Sequence, residues 1–196
     1  EQNLILADVR ISELHRLWKE AKALGLATPN IGLITNIIAC PGGDFCALAN
    51  AKSIPVAQAL AERFDDLDYQ HDIGELDLNI SGCMNSCGHH HVGHIGILGV
   101  DKSGSEWYQI SIGGNQGLTR PGAPAGLGKV IGPSFAQAEV PDVIENLINV
   151  YLERREAPEE RFIDVVWRIG VEPFKERVYG KAHSGSKARR GQLAEA

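Results

Sequence analysis

Residues 76–88 read LDLNISGCMNSCG, an apolar segment that runs directly into a glycine-rich loop holding two cysteines. The first six residues predict a strand, and residues 82–88 predict the loop after it. The same order occurs earlier, where an isoleucine-rich run over residues 31–39 predicts a buried strand that ends in the tight loop CPGGDFC of residues 40–46. The sequence therefore predicts two cysteine loops, each placed at the end of a strand.

The four cysteines are spaced C-x5-C, then 36 residues, then C-x3-C. Thiolates hold iron–sulfur clusters, and four of them from two loops can surround a cubane. Adjacent glycines leave room for backbone N–H groups to point at the sulfurs. Structural zinc also uses four cysteines, but its pairs usually sit two to four residues apart. The spacing favours an iron–sulfur site, and zinc, a disulfide and metal-free thiols stay open as alternatives.

Four histidines follow the second loop at His89, His90, His91 and His94. His90 and His94 have the i, i+4 spacing of a zinc-binding helix. The glutamate of the metalloprotease pattern is replaced by His91, however, and Gly93 weakens a helix. We therefore expect polar or packed histidines beside the cysteine loops, one of which can donate a hydrogen bond to a cofactor carboxylate or a cluster sulfur.

Amino-acid composition and net charge exclude several classes of function. The chain has 196 residues with 43% hydrophobic and 22% charged residues, as in a soluble globular protein. Its net charge of −6 argues against binding to nucleic acid or to an anionic membrane surface, and no apolar run approaches the roughly 20 residues of a membrane helix. Paired cysteines without a secretion signal indicate metal or catalytic chemistry in a reducing, cytoplasmic setting. The only methionine is Met84, which leads us to expect a fragment or a processed chain.

The remaining pattern predicts a mixed α+β fold, with helices packed on the sheet. Residues 2–9 predict a strand, followed by a helix capped by Ser12 and ending near Gly25. A helix is predicted over residues 46–64, with a break near Ser53 and Pro55. Further predictions are strands over residues 95–100 and 107–112 joined by a hairpin turn, a long loop over residues 113–133, and two helices, one opening at Pro141 and one stopping near Gly170.

The two cysteine loops resemble those of the siroheme nitrite/sulfite reductase family. The resembling segments are residues 39–46 and 81–88, with Gly113-Gly114-Asn115 similar to that family's next motif. Residues 2–5 resemble the end of the ferredoxin-like half that precedes the cluster domain, and residues 128–137 resemble the bacterial assimilatory branch. The resemblance covers residues 2–180 and implies an α+β cluster domain.

The resemblance implies roles residue by residue. Cys40, Cys46 and Cys83 would each bind one iron of a [4Fe-4S] cluster. Cys87 would bind the fourth iron and also the siroheme iron, which couples the two centres. Asn85, Gly114 and Asn115 would contact the cofactor, with loop geometry as the alternative explanation for these three. The implied reaction is a six-electron reduction, with sulfite favoured over nitrite. No flavin or nicotinamide motif is visible in the sequence, so we expect electrons from another chain such as a ferredoxin or flavoprotein.

The same resemblance divides the chain. Residues 1–27 would be the last strand and helix of a ferredoxin-like half-domain, residues 28–180 the cluster domain, and residues 181–196 a mobile tail. The family's substrate-binding Arg and Lys residues lie mainly in the N-terminal half, which leaves no catalytic residue assigned here. Lys52 and Arg63 are the nearest cations to the cysteine loops, and we expect both on a solvated helix face. We also expect residues 2–9 to offer an open strand edge for dimerisation.

Overall fold

The computed structural model describes residues 5–117 and 124–180. Five strands form one mixed sheet, in the spatial order β1-β2-β3-β4-β5. The strands are β1 (Ile38–Ala39), β2 (Leu78–Ser81), β3 (Ile95–Lys102), β4 (Ser105–Ile112) and β5 (Lys129–Val130). The first three run parallel to one another, and β4 and β5 continue the sheet in antiparallel fashion. Because parallel strands end at the same edge, the segments that follow β1 and β2 emerge side by side.

Helices flank the sheet along the chain. The α-helices are α1 (Leu14–Ala23), α2 (Ile54–Arg63), α3 (Leu67–Ile73), α4 (Val140–Arg154) and α5 (Phe162–Ile169), and residues 172–180 are also helical. Short 3-10 turns occupy Ile11–Glu13, Gly42–Asp44, His90–Val92 and Gln137–Glu139. The connection from β1 to β2 holds the first cysteine loop, α2 and α3. The connection from β2 to β3 holds the second cysteine loop and the 3-10 turn His90–Val92.

One apolar core joins the sheet to α2, α4 and α5. The strands contribute Leu78, Ile80, Ile95, Ile97, Ile110 and Ile112, and the helices contribute Val56, Leu60, Ile144, Leu147, Ile148, Phe162 and Val165. In α4 the buried positions recur every three or four residues, which is the pattern of a helix that packs one face on a core. The mixed sheet with flanking helices confirms the predicted fold class.

Several predicted elements are confirmed. The strand over residues 76–81 contains β2, the hairpin is β3 and β4, and the two late helices are α4 and α5. The hairpin turn is tighter than expected, since only residues 103 and 104 separate the strands, with both φ angles positive. The helix predicted before Gly25 is also present as α1. The predictions for residues 181–196 and for residues 118–123 of the long loop lie outside the described residues.

Other predictions are wrong. Residues 5–9 form no strand, and residues 1–4 lie outside the described part of the chain. Ser12 caps no helix, because it lies inside the 3-10 turn that leads into α1. The run over residues 31–39 is a strand only at its end: residues 31–36 form turns, where Gly32 has a φ of +77°.

The second predicted helix starts later than expected. Residues 46–52 are turns and bends, and α2 begins beyond Ser53 with Pro55 in its first turn. Proline is well suited to the first turn of a helix, because it has no N–H group to satisfy there. Helix α3 was missed. Its start is fixed by Asp66, whose carboxylate accepts the N–H of Tyr69 at 3.0 Å.

Candidate functional site

The two cysteine loops are hydrogen-bonded into one unit. The N–H of Cys40 donates to the carbonyl of Ile80 at 3.1 Å, which continues the β1–β2 ladder by one residue. Beyond the strand ends, the carbonyl of Gly82 accepts the N–H groups of Asn50 and Ala51 at 2.8 and 3.0 Å. The loop after β1 and the loop after β2 are therefore fixed against each other by backbone contacts.

Two glycines make this contact possible. A Cβ on Gly42, whose φ is +60°, would lie 2.4 Å from the backbone nitrogen of Ser53. A Cβ on Gly82 would lie 2.6 Å from the carbonyl oxygen of Ala51 and 2.9 Å from Cα of Gly42. Such distances are far below van der Waals contact, so any side chain here would force the two loops apart.

The four cysteines differ in exposure. Cys40 and Cys83 are each 8% exposed, Cys46 is half-buried and Cys87 is exposed. All four are free thiols. Within residues 5–117 and 124–180, no three His, Cys, Asp or Glu side chains are grouped to hold a single metal ion. A [4Fe-4S] cluster makes a different demand, since each of its four thiolates binds a separate iron.

Cys40 has two hydrogen-bond partners at its sulfur. The N–H of Gly82 donates to Cys40 Sγ at 3.1 Å, and Ser53 Oγ lies 3.3 Å from the same atom. Ser53 is fully buried. Hydrogen bonds of this kind orient a ligating sulfur and tune the potential of a centre bound to it. The role of Ser53 was missed from the sequence, where it was only a helix break.

An open groove of about 590 Å³ lies beside Cys40. Most of its lining is apolar, from β1, the first cysteine loop and α2, including Ile37, Ala39, Pro41, Phe45, Ile54 and Ala61. The tip of the same loop is also apolar, because Phe45 is 80% and Leu48 72% exposed, and Met84 in the second loop is 83% exposed. The cysteine loops thus lie on an apolar face.

The histidines do not form a zinc-binding helix. His94 is 1% exposed, and its Nδ1 accepts the N–H of Asp77 at 3.1 Å. Burial lowers the pKa of His94, and the charge of Arg161 adds to this, while Asp77, Glu75 and Asp164 oppose it. His94 is therefore a packed core residue, as expected for one member of the group.

His90 and His91 instead meet at one hydroxyl. Ser86 Oγ lies 3.1 Å from Nδ1 of His90 and 2.6 Å from Nδ1 of His91, and the two rings stand edge to face at 5.2 Å. Burial, together with the neighbouring His91, lowers the pKa of His90 to about 4, which keeps it neutral at pH 7. His89 is exposed and adopts a left-handed φ of +55°.

The Gly113–Asn115 motif packs against the histidine turn. A Cβ on Gly114 would lie 2.5 Å from the carbonyl oxygen of Gly93, so only glycine fits this approach. Asn115 is fully buried, its Nδ2 donates to the carbonyl of Pro124 at 3.0 Å, and its Oδ1 accepts the N–H of Gly117 at 3.0 Å. Loop geometry thus accounts for these contacts of Asn115. Asn85 is exposed on the second cysteine loop.

Lys52 and Arg63, the cations singled out from the sequence, are both paired with carboxylates. Lys52 Nζ lies 3.7 Å from Asp44. Arg63 leaves α2 to reach α4, where its guanidinium contacts Asp142 at 2.7 Å and Glu145 at 2.6 Å. Hydrogen bonding to Asp142 and the two negative charges raise the pKa of Arg63. Both side chains are partly exposed, and the helix-face prediction is confirmed for Arg63. It is wrong for Lys52, which lies in the loop before α2.

Asn79 in β2 carries an unusual buried oxygen. The residue is 1% exposed, and its Nδ2 donates to the carbonyl of His89 at 3.1 Å. Its Oδ1 is buried without a hydrogen-bond partner among the described residues.

No helix in the described part of the chain has the length and apolar character needed to cross a bilayer.

Comparison with known proteins identifies the family of this domain. The family model for the nitrite and sulphite reductase 4Fe-4S domain matches residues 32–187. A relative named sulfite reductase [ferredoxin], from Mycobacterium tuberculosis, is 31% identical over 177 residues, which cover 85% of this chain and 31% of the relative. The sulfite reductase [NADPH] hemoprotein beta-component of Escherichia coli is 27% identical over 172 residues, which cover 87% of this chain and 28% of the relative.

Solved structures of similar fold include NirA and a dissimilatory sulfite reductase. The structure of the NirA protein of Mycobacterium tuberculosis matches 87% of this chain and 31% of its own, with a TM-score of 0.68 and 28% identity. Dissimilatory sulfite reductase I shares the fold, with a TM-score of 0.67 at 14% identity. The chain spans about a third of the length of the curated relatives it matches. On the evidence of its matched domain, the chain belongs to the nitrite and sulphite reductase 4Fe-4S domain family.

Proposed function

We propose that this chain is the cluster- and siroheme-binding part of an assimilatory sulfite reductase, with a [4Fe-4S] cluster held by the thiolates of Cys40, Cys46, Cys83 and Cys87. When bound, the cluster and siroheme supply electrons to sulfite, which a complete enzyme reduces to sulfide. The named relatives favour sulfite over nitrite, because both are called sulfite reductases.

One observation carries this proposal: the hydrogen bond that joins the second cysteine loop to a thiol of the first. The N–H of Gly82 from the second loop donates to Cys40 Sγ of the first, at 3.1 Å. Together with the backbone bonds from Asn50 and Ala51 to Gly82, it holds the two loops next to each other, which supports a cluster that takes thiolates from both. The donor set and the N–H···S contact both suit a cluster, since such contacts stabilise and orient ligating sulfurs.

The exposure of the thiols supports unequal roles. Cys40 and Cys83 are buried, which suits sulfurs that bind a group held between the loops. Cys87 is exposed, so its sulfur is open to a second partner outside the chain. This supports Cys87 as the thiolate shared between cluster and siroheme. The apolar loop tips formed by Phe45, Leu48 and Met84 are suited to lie against a macrocycle or another part of the enzyme.

We propose that the substrate-binding part of the enzyme lies in residues outside this chain. A dianionic substrate needs a cluster of unpaired cations near the reacting atoms. Lys52 and Arg63 are engaged by carboxylates. We therefore propose that this chain alone reduces neither sulfite nor nitrite. The electron donor is proposed to be a separate ferredoxin or flavoprotein.

The test is anaerobic purification and reconstitution of the 196-residue chain with ferrous iron and sulfide. We expect about four iron and four sulfide per chain and a broad brown absorption shoulder, and intense Soret-type bands after siroheme is added. Binding of one zinc per chain, without iron or sulfide, would overturn the proposal. Cluster uptake without siroheme uptake would restrict the chain to an electron-transfer module.

A cysteine series sharpens this test. Cys40→Ser and Cys83→Ser should abolish stable cluster assembly, because each removes a ligand held inside the site. Cys87→Ser should remove the siroheme bands. The reconstituted wild-type chain should form no sulfide from sulfite with a viologen reductant, and turnover in that assay would show that the chain carries its own substrate site.

A further inference from the structure

Ser86 lies in the turn of the second cysteine loop between Cys83 and Cys87. It lies directly before Cys87 and has a φ of +60°, a left-handed conformation that non-glycine residues rarely adopt. Its N–H donates to the carbonyl of Cys83 at 3.2 Å, and its carbonyl accepts the N–H of His89 at 2.8 Å. The backbone of this one residue therefore closes the turn that separates the two cysteines.

The side chain of Ser86 is held from two sides. Nδ1 of His90 lies 3.1 Å and Nδ1 of His91 2.6 Å from its hydroxyl oxygen. A serine hydroxyl has one proton to donate and can also accept. That single proton can go to only one of the two Nδ1 atoms, so at least one imidazole donates its own Nδ1 proton to the oxygen. Contacts from two rings hold the hydroxyl oxygen of Ser86 between them.

The histidine turn is itself attached to the sheet. Asn79 Nδ2 in β2 donates to the carbonyl of His89 at 3.1 Å, and the N–H of Gly128 donates to the carbonyl of His91 at 2.8 Å. Hydrogen bonds thus connect the sheet to the histidine turn, and the histidine side chains to Ser86. The side chain of Cys87 is exposed, so packing constrains its direction little, and the position of its backbone follows from the turn that Ser86 closes.

We infer that Ser86, His90 and His91 form a positioning unit that orients the Cys87 thiolate as a ligand. The inference rests on the proposed function, because it concerns the same site. Groups that orient metal ligands typically account for 10- to 100-fold in metal affinity. Removing the Ser86 hydroxyl should therefore leave all four thiols in place and still weaken the bound cluster.

The first experiment compares two serine-to-alanine variants. Ser103, in the hairpin turn, has a φ of +55°, so Ser103→Ala makes the same chemical change at the same backbone conformation, away from the cysteines. After reconstitution with iron and sulfide, cluster loss to an iron chelator is followed by the decay of visible absorption. We expect Ser86→Ala to lose its cluster about 10-fold faster than wild type, and Ser103→Ala to match wild type.

A glycine variant separates hydrogen bonding from backbone strain. Ser86→Gly relaxes the left-handed conformation but still lacks the hydroxyl. It should lose its cluster as fast as Ser86→Ala. A wild-type rate in Ser86→Gly would assign the effect to strain and overturn the inference.

Two substitutions of His91 test which ring nitrogen matters, because they place a polar atom at the position of either Nδ1 or Nε2. An asparagine amide is attached at Cγ, like Nδ1, whereas a glutamine amide lies one bond further out, like Nε2. His91→Asn should therefore keep the contact with Ser86 and the slow cluster loss, whereas His91→Gln should lose both. The reverse result would mean that Nε2 acts on the cofactor directly, which contradicts a positioning role through Ser86.

The outcomes also separate this inference from the proposed function. If the wild-type chain assembles no cluster, the proposed function fails and the inference fails with it. If the wild-type chain assembles a cluster and Ser86→Ala retains it equally well, only the positioning role is refuted. The far-ultraviolet circular dichroism of each variant establishes that the fold is kept, and His91 is exposed, so its substitution leaves the core intact.

Discussion

The buried imidazole of His94 is the residue with the clearest dependence on pH. Its Nδ1 accepts the N–H of Asp77, and burial lowers its pKa despite the opposing charges of Asp77, Glu75 and Asp164. In the unfolded chain a histidine has a pKa of about 6.5. Below that value the unfolded state binds a proton that the folded state resists, so protonation favours unfolding.

We predict that the free energy of unfolding falls as the pH is lowered from about 7.5 to 5.5, through the unfolded pKa of histidine. His94→Asn keeps an acceptor near the position of Nδ1 and removes the titration, so its loss over this range should be smaller. Urea unfolding of both proteins at the two pH values measures the difference. His90, with its pKa lowered to about 4, contributes equally to both proteins and cancels. Equal losses in the two proteins would contradict the prediction.

At the scale of single residues, the sequence indicated which side chains matter but not which of them touch. The cysteines stood out through their spacing, and the histidines through their cluster. The contacts of Ser53 with Cys40, and of Ser86 with two histidines, were missed. Both serines lie in segments whose path is set by tertiary packing, and serine is too common in turns to mark such a site.

Among the elements, the second cysteine loop packs on β2 through Gly88. A Cβ at this position would lie 2.0 Å from the carbonyl oxygen of Ile80, which is a buried strand residue. The N–H of Gly88 also donates to Ser81 Oγ at 3.1 Å. The loop can follow its observed path only if this position carries no side chain.

We predict that Gly88→Ala destabilises the protein by about 1–3 kcal/mol, the usual cost of overpacking in a close-packed interior. Gly126→Ala is the matched control, because a Cβ there meets nothing within 4 Å. Urea unfolding of the two variants gives the comparison. A Gly88→Ala variant as stable as wild type would show that the loop has room to move away from β2.

Elements with a local pattern were predicted well, whereas those defined by pairing were missed, like β5, or predicted too long, like β1. The hairpin follows from two apolar strands around a short polar turn, and α4 from its apolar spacing. Strand β5 has two exposed residues, and β1 has two half-buried ones, so neither has a periodicity to detect. Their strand character comes from the neighbour they pair with.

In the whole molecule, the N-terminal segment stands apart from the core. None of residues 5–27 is buried, although Ile11, Leu14, Trp18 and Leu24 are large and apolar. An isolated helix as short as α1 is marginal in water, so α1 adds little stability without a partner. This is consistent with our proposal that residues 1–27 belong to a neighbouring half-domain.

We predict that deletion of residues 1–27 changes the free energy of unfolding by less than about 0.5 kcal/mol, as for surface changes that leave the core intact. The urea midpoint and slope of the shortened chain, compared with those of the full chain, provide the measurement. A shortened chain that is unfolded, or a clear fall in the midpoint, would place part of the folding unit before residue 28.

The sequence patterns also carried the overall architecture, a mixed sheet with helices on it and cysteine loops at strand ends. Those patterns did not predict that β1, β2 and β3 run parallel. Two of these strands are joined only after α2 and α3 intervene, and no local pattern in residues 40–77 specifies the partner. The opening strand prediction failed for a related reason, because the apolar residues 5–9 meet no neighbouring strand among the described residues.

The parallel pairing of β1 with β2 also has a consequence for the order of folding. The β3–β4 hairpin joins neighbours in sequence and can form early, whereas β1 and β2 meet only after the chain between them has been closed into a loop. Closing such a loop has an entropic cost that local contacts do not, and non-local pairings form slowly. The two cysteine loops therefore meet late in folding, and until then Cys40 and Cys83, which the fold buries, are open to oxidation.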